Sequence, residues 1–240
     1  MANKAVPSRP MPRLYLATPV VDDPAWLVTA LPGLLAGADI AAVLVRLEES
    51  DPRSLIGRVK SLAPAIQNAG AALLLEGHVD LVARAGADGA HLSGIAALEE
   101  ALPSLKPDRI AGVGGLASRH DSMTAGEIAD YVLFGEVDAR GDRPSLEAIA
   151  ERVEWWAELF EPPCVAYAAS CDEAYELALA GADFVLVGDA VWRDARGAAA
   201  ALAEIGQAVR QAYAAARNAG KPLQDKTSQD EALQDKAMQK

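Results

Sequence analysis

One short phrase, Gly-Ala-Asp followed by a run of apolar residues, recurs along the chain and constrains its fold more than any other feature. It occurs in "LLAGADIAAVLVR", "ARAGADGAHLSG" and "LALAGADFVLVGDAVW", and an altered copy reads "TAGEIADYVLFGE". In each copy a helical stretch runs into glycine, which takes the left-handed conformation that commonly ends a helix. The continuous apolar run that follows is typical of a parallel strand buried on both faces. The phrase therefore predicts a repeated joint between a helix and a buried strand.

The remaining joints extend this pattern to eight strands, with amphipathic helical stretches between them. We predict strands at 14–18, 41–46, 71–76, 89–93, 109–114, 131–135, 164–168 and 184–188. Eight strand–helix units are the number found in a single (β/α)8 TIM barrel, which is the predicted fold. The alternative is a doubly wound open sheet, which usually has a glycine-rich phosphate loop after its first strand. The corresponding segment here, "YLATPVVDDPAW", contains no glycine.

The two ends of the chain differ from the segment between them. We predict a flexible, Pro-rich N-terminal segment at 1–12 and one barrel domain at 13–216. Residues 217–240 are polar and contain LQDK twice, a composition with too little apolar surface to join a core. This segment is therefore predicted to be a disordered tail.

Charge and composition exclude several classes of function. The net charge of −12 argues against a nucleic-acid-binding protein, which needs a basic face. No apolar run approaches the roughly 20 residues of a membrane span, and the first residues lack the apolar segment of a signal peptide. We therefore expect a cytoplasmic protein that does not bind membranes, with Cys164 and Cys171 as free thiols. The sequence leaves the oligomeric state open, a homo-oligomer included.

Barrel enzymes place their chemistry at the carboxyl ends of the strands. Three side chains at predicted strand ends are therefore candidates for catalysis: Arg46, Glu76 and His91. Arg46 is also a candidate for substrate binding, with a structural ion pair to Glu76 as the alternative. His91 is either a proton carrier or a hydrogen-bonded core histidine.

Glu76 and His78 are the candidates for metal binding. Together with Glu136 and Asp138 they offer ligands that a divalent metal accepts. No two of these residues have metal-site spacing along one element, so spacing alone does not predict a metal site.

The loops after the seventh and eighth strands are the usual phosphate site of such barrels, through their backbone N–H groups. The candidates there are Ala169, Ser170, Gly188 and Asp189. Gly188 permits close approach of an anion, and Ser170 adds a hydroxyl donor. Asp189 either places a carboxylate where the anion would lie or caps the following short helix.

The order of these segments resembles that of the thiamine phosphate synthase and TenI family. "VLVRLEE" resembles the family's second-strand segment Q-x-R-x-K, with Arg46 on its arginine. "EGHVDLVARAGADGAHLSG" places Gly89 and His91 on the family's matching glycine and histidine. "ADYVLFGEV" and "AGADFVLVGDAVW" are similar to its sixth and eighth strands. The resemblance covers most of the chain from Leu14 to about Arg193.

This resemblance implies a protein of thiamine biosynthesis that takes phosphorylated small-molecule substrates. The family's reaction joins a hydroxymethylpyrimidine pyrophosphate to a thiazole phosphate, and magnesium assists the departure of pyrophosphate. Magnesium is accordingly the expected cofactor if the chain is an active synthase, and otherwise none is expected.

The chain departs from the family pattern at several motif positions. The family's Asn-Asp-Asp is replaced by Glu76, Gly77 and His78, and the lysine of its second-strand motif by Glu48. Its second magnesium aspartate falls within "SGIAALEE". The catalytic histidine of the TenI branch falls on Leu116.

The phosphate motifs of the family are altered as well. Its Gly-Gly after the seventh strand becomes Ala168 and Ala169, and its Thr-x-Thr-Lys is absent from "EVDARGDRPS". Arg140 and Arg143 are expected to supply part of the lost charge. These departures predict little synthase turnover. The alternative function is a diverged member that binds a phosphorylated or heterocyclic small molecule without synthase activity, as a sensor, tautomerase-like or partner protein.

Overall fold

Eight short strands follow one another around a closed sheet in chain order, and the eighth pairs with the first. The computed structural model of the chain describes residues 10–138 and 140–219. Its strands are β1 Arg13–Val21, β2 Ile40–Leu47, β3 Ala72–Glu76, β4 Gly89–Ser93, β5 Ile110–Gly114, β6 Tyr131–Phe134, β7 Cys164–Ala168 and β8 Phe184–Val187. Neighbouring strands are parallel throughout. The predicted (β/α)8 barrel is confirmed.

Helices alternate with the strands. They are α1 Ala25–Gly37, α2 Pro52–Gln67, α3 Val79–Ala85, α4 Ile95–Leu105, α5 Arg119–Gly126, α6 Leu146–Leu159 and α7 Cys171–Leu179, followed by α8 Asp189–Trp192 and α9 Ala198–Ala219. Several begin where a side-chain oxygen accepts a hydrogen bond from a free N–H of the first turn. Asp51 does so for α2, Ser118 for α5, Ser145 for α6 and Ser170 for α7.

The predicted strands agree with the observed ones to within one residue at each end, except in β1. β1 continues to Val21, three residues beyond the predicted end, because the ladder between β1 and β2 shifts register between Ala17 and Val20. Pro19 lies at this shift, and proline has no N–H to donate to a ladder. The Thr18 hydroxyl accepts a hydrogen bond from the Arg46 N–H (3.1 Å), so the shift anchors Arg46 at the end of β2.

The aspartates of the recurring phrase tie strands together at the amino end of the barrel. A carboxylate oxygen of Asp88 accepts from the Leu73 N–H of β3 (2.7 Å), and one of Asp130 accepts from the Ala111 N–H of β5 (2.7 Å). Asp183 accepts from the Cys164 N–H of β7 in the same way (2.8 Å). These N–H groups stand at or next to the starts of their strands. The repeated aspartate therefore stabilises the fold and lies at the end of the barrel opposite its mouth, which is formed by the carboxyl ends of the strands.

Two apolar layers hold the barrel together. The outer layer lies between strands and helices and includes Trp156, which is fully buried. The inner layer fills the barrel and combines aliphatic residues such as Leu44 and Leu186 with the tyrosines Tyr15 and Tyr131. Two hydroxyl groups therefore lie among the aliphatic side chains of the interior.

The predicted terminal segments fall largely outside the described residues. Residues 1–9 belong to the predicted N-terminal segment and 220–240 to the predicted tail, while α9 extends to Ala219. Among the helices described, none is long and apolar enough to cross a membrane.

Candidate functional site

A cleft of about 1010 Å³ opens at the carboxyl ends of β3 to β6. Barrels of this kind carry their sites at this end. The polar residues that line it are Glu76, His91, Ser93, Glu136, Asp138, Arg140, Asp142, Arg143 and Arg152. The predicted candidates Glu76, His91, Arg140 and Arg143 thus share one cleft, together with Glu136 from the loop after β6.

A chain of hydrogen bonds runs from the barrel interior to this cleft. The hydroxyls of Tyr15 and Tyr131 are 3.1 Å apart, and the Tyr131 hydroxyl is 2.9 Å from His91 Nδ1. On the other side of the imidazole, Nε2 is 2.9 Å from Glu136 Oε1. The second oxygen of Glu136 accepts from the Gly115 N–H (3.1 Å). His91 is buried and Glu136 is partly exposed to the cleft.

With a neutral His91, every hydrogen bond from Tyr15 to Glu136 is donated in the direction of the mouth. An ionised Glu136 only accepts hydrogen bonds, so His91 Nε2 carries a proton and donates it to the carboxylate. In the neutral imidazole Nδ1 then accepts from the Tyr131 hydroxyl, whose oxygen accepts from Tyr15. Each buried polar atom of this hydrogen-bonded network therefore has a partner, as is usual for polar groups in protein cores.

Electrostatics fix the protonation of the two tyrosines. Burial, then the neighbouring Tyr131, raises the pKa of Tyr15 far above its ordinary value. Burial likewise raises the pKa of Tyr131; its hydrogen bond with Tyr15 opposes this rise, and the charge of Glu136 adds to it. Both hydroxyls thus remain protonated and available as donors.

β5 makes room for this chain because it has glycines at two positions that face it. A Cβ on Gly112 would lie 1.9 Å from Cζ of Tyr131, and one on Gly114 would lie 1.7 Å from Oε2 of Glu136. Both distances are far below van der Waals contact. The glycines admit the tyrosine ring and the carboxylate into space that side chains would otherwise fill.

Glu76 and Arg46 lie at the mouth without forming a direct ion pair in the part of the chain described. Arg46 Nε instead donates to the Thr18 carbonyl oxygen (2.6 Å). Partial burial raises the pKa of Glu76, while the charge of Arg46 opposes that rise and the charge of Glu136 adds to it. Arg46 Nη2 approaches Gly188, at 3.9 Å from the position a Cβ would take there. Its guanidinium is therefore directed to the corner between β8 and β1.

The predicted phosphate corner after β7 already contains a carboxylate. Glu173 Oε2 accepts from the Ala169 N–H (2.8 Å), and the Ser170 hydroxyl accepts from the Glu173 N–H as the cap of α7 (3.1 Å). Asp189 begins α8 and pairs with Arg193 at 3.1 Å. The Ala169 N–H, which was expected to meet an anion, is thus engaged within the protein, while the Ser170 hydroxyl acts as an acceptor.

Arg143 is the cation that neutralises Glu173. Its guanidinium bonds both Glu173 oxygens (2.7 and 3.0 Å) and also the carbonyl oxygens of Gly135 and Tyr167. Partial burial acts to raise the pKa of Glu173, but the hydrogen bonds from Arg143 and Ala169 outweigh it and lower the pKa. Arg143 therefore ties the loop after β6 to the end of β7 and the first turn of α7, whereas Arg140 stands exposed at the cleft.

The side chains at the mouth do not fit a protein-built magnesium site. Among residues 10–138 and 140–219, no group of three or more His, Cys, Asp or Glu side chains has a metal-binding arrangement. Both oxygens of Glu136 already accept hydrogen bonds. His78 precedes α3 in a left-handed conformation (φ 44°) and does not complete a ligand set with Glu76.

Sequence reasoning missed four residues of these networks: Tyr15, Tyr131, Arg143's partner Glu173, and Gly112. Tyr15 and Tyr131 are 116 positions apart, so no local pattern links them. The glycines of "AGVGG" were the available signal, because glycine in a strand interior often marks close approach of another group.

Comparison with known proteins gives a consistent result. A family model described as thiamine monophosphate synthase matches residues 14–191. The chain is 38% identical over 202 residues to the thiamine-phosphate synthase of Rhodospirillum centenum, covering 82% of this chain and 98% of that protein. It is 34% identical over 211 residues to the thiamine-phosphate synthase of Hyphomonas neptunium, covering 84% and 95%.

A solved structure with this fold is thiamine phosphate pyrophosphorylase from Pyrococcus furiosus. It superposes with a TM-score of 0.67 at 23% identity and covers 83% of this chain and 96% of that one. At this identity the likeness concerns the fold. The family resemblance read from the strand motifs is thus confirmed by sequence, and the barrel by structure.

Proposed function

Because the chain belongs to the thiamine monophosphate synthase family, we propose that it binds a hydroxymethylpyrimidine pyrophosphate and a thiazole phosphate at the barrel mouth and joins them. In this reaction the thiazole nitrogen bonds to the methylene carbon of the pyrimidine. The bond from that carbon to pyrophosphate breaks, and pyrophosphate leaves with the electron pair. The observation that carries the proposal is the 38% identity to a synthase over 98% of its length.

The mouth offers cations for the two anionic groups of these substrates. Arg46 approaches Gly188 at the corner between β8 and β1, where we place the thiazole phosphate. Arg140 and Arg152 line the cleft, where they would stabilise the charge that develops on departing pyrophosphate. Arg152 is held in place by donating to the Leu116 carbonyl (2.9 Å).

The site lacks the acidic cluster expected of a magnesium-dependent synthase. We therefore expect slow transfer, with the arginines carrying the electrostatic stabilisation. Binding of the substrates without transfer is the competing function. It is favoured because protein hydrogen bonds hold both oxygens of Glu136 and of Glu173, so neither carboxylate can turn to chelate magnesium.

The proposal is tested by incubating the full chain with both substrates, with magnesium and with a chelator. We expect thiamine phosphate above the protein-free control, and binding of each substrate by calorimetry. Binding without product would establish the competing function, and the absence of binding to either substrate would refute both.

Arg46→Ala separates a role at the corner from a general effect of charge. We expect a roughly tenfold or greater loss of affinity for the thiazole phosphate, because a charge-assisted hydrogen bond to phosphate is removed. Arg84→Ala is the matched control, since Arg84 lies exposed in the last turn of α3, away from the mouth. Equal affinities of the two variants would remove Arg46 from the site.

A further inference from the structure

Glu136 combines rigidity with access to the cleft. His91 holds one of its oxygens and the Gly115 N–H the other, while about a quarter of its side chain (24%) remains exposed. A carboxylate has roughly four lone-pair positions, so two acceptor positions remain after these bonds. Rotation of the carboxylate would break both bonds, and its free lone pairs therefore keep a fixed direction.

The acidic and the basic side chains of the cleft lie in different parts of it. Glu136 stands at the end of the hydrogen-bonded chain from the barrel interior, and its charge acts to raise the pKa of Glu76 in the same cleft. The arginines Arg140 and Arg152 come from the loop after β6 and from α6, outside the strand ring. A ligand that donates hydrogen bonds at one end and carries negative charge at the other matches this distribution.

We propose that Glu136 determines ligand specificity by accepting hydrogen bonds from the exocyclic amino group of a nitrogen heterocycle bound in the cleft. The class of ligand rests on the proposed function, which supplies an aminopyrimidine with a pyrophosphate at its other end. The assignment of the acceptor rests on the contacts of Glu136 alone. His91, Tyr131 and Tyr15 are positioning residues that orient this carboxylate.

An ionised carboxylate discriminates strongly between an amino and an oxo group. The amino group donates to Glu136, whereas a carbonyl oxygen at the same place faces a second acceptor and leaves both unpaired. Sites built to hydrogen-bond a ligand donor reject analogues without it for this reason. A charge-assisted bond predicts a preference of roughly tenfold to a hundredfold.

The positioning chain sets which atom faces the carboxylate. In the neutral imidazole the proton lies on Nε2, where it bonds the Glu136 carboxylate, and Nδ1 accepts from the Tyr131 hydroxyl. The Tyr131 ring stacks on the imidazole with a centroid distance of 5.7 Å, which restrains rotation of His91. Without the Tyr131 hydroxyl, the proton of His91 is no longer held on Nε2. The lone pairs of Glu136 then no longer keep a fixed direction.

The test uses two unphosphorylated probes and the full chain. One is an aminopyrimidine with a hydroxymethyl group, and the other is the matched oxopyrimidine; dissociation constants are measured by calorimetry. We expect the wild-type protein to prefer the amino probe by about tenfold or more. Glu136→Gln replaces one acceptor by a donor of the same size, and we expect it to lose this preference.

Glu151→Gln is the matched control, because Glu151 forms an exposed ion pair with Arg119 on the outer surface. It should keep the wild-type preference. Equal affinity of the wild type for both probes, failure of both to bind, or an unchanged preference in Glu136→Gln would overturn the assignment.

Tyr131→Phe tests the positioning chain. We expect the preference to fall by several-fold while Glu136 remains in place, with thermal unfolding confirming that the variant is folded. A full wild-type preference in folded Tyr131→Phe would overturn the positioning role. These outcomes are separate from the synthase assay: product formation without amino preference refutes this assignment alone, and amino preference without product refutes only the joining reaction.

Discussion

Glu136, in the loop after β6, and Glu173, in the first turn of α7, both place a carboxylate at the mouth of the barrel. Their hydrogen-bond partners give the two carboxylates different roles. Each accepts a backbone N–H, from Gly115 at 3.1 Å and from Ala169 at 2.8 Å. Glu173 is then closed by a guanidinium that bonds both of its oxygens, whereas Glu136 is held by one imidazole nitrogen. The bonds from Arg143 make Glu173 a structural contact between neighbouring segments, whereas the bond from His91 leaves Glu136 facing the cleft.

The largest effect should come from adding a side chain beneath the cleft. Gly112→Ala places a Cβ 1.9 Å from the Tyr131 ring, so it should lower the free energy of unfolding by about 3 kcal/mol, at the upper end of overpacking effects. Gly188→Ala, at the corner, meets Ala17 at an ordinary 3.5 Å and should cost less than about 1 kcal/mol. Denaturant unfolding of both variants measures the difference, and equal losses would show that the two regions are packed alike.

A smaller loss of stability is expected when the ion pair between Arg143 and Glu173 is broken. Arg143→Met leaves Glu173 without its cation and should cost about 2 kcal/mol, less than for a fully buried pair because both side chains keep some solvent contact. Glu173 has a lowered pKa in the folded protein, so its contribution is present above its ordinary pKa and is lost as the pH falls through the lowered value.

The stability gap between wild type and Glu173→Gln should therefore narrow as the pH falls below about 4.5. Chemical denaturation from neutral to acidic pH measures this gap. A gap that is constant with pH would mean that ionised Glu173 does not stabilise the corner.

The smallest effect concerns Glu76 in the cleft. Its pKa is raised in the folded protein, so its ionised form costs stability at neutral pH and this cost disappears when both folded and unfolded states are protonated. Glu76→Gln should thus stabilise the protein at pH 7 by less than about 1 kcal/mol, with solvent screening limiting the gain. Destabilisation at pH 7 would indicate that the Arg46 charge outweighs partial burial.

The sequence was sufficient for the barrel because its evidence is local. Each strand is a short apolar run after a glycine joint, and these runs required no knowledge of distant partners to be recognised. β1 was predicted too short because Pro19 resembles a strand end, although the strand resumes after a register shift.

The site was predicted less completely because its contacts join distant residues. Arg46, Glu76 and His91 could be identified from their places at strand ends, but the bond between His91 and Glu136 spans 45 positions. In strands that are apolar throughout, the sequence does not reveal which residues face the interior. The pairing of Tyr15 with Tyr131 therefore has no signature in either strand.

The aspartates at the amino end also divide the barrel into quarters. Asp88 links β4 to β3, Asp130 links β6 to β5, and Asp183 links β8 to β7, while Asp39 before β2 bonds the Arg13 side chain of β1 (2.8 Å). Each of these bonds thus joins the two strands of one β-α-β module, while Asp88 and Asp130 also accept from Gln67 and Lys106 in the connections before β3 and β5. New chain termini placed before β7 would leave the bonds of all these aspartates within one segment or between intact modules, so circular permutation should be tolerated there better than within a quarter.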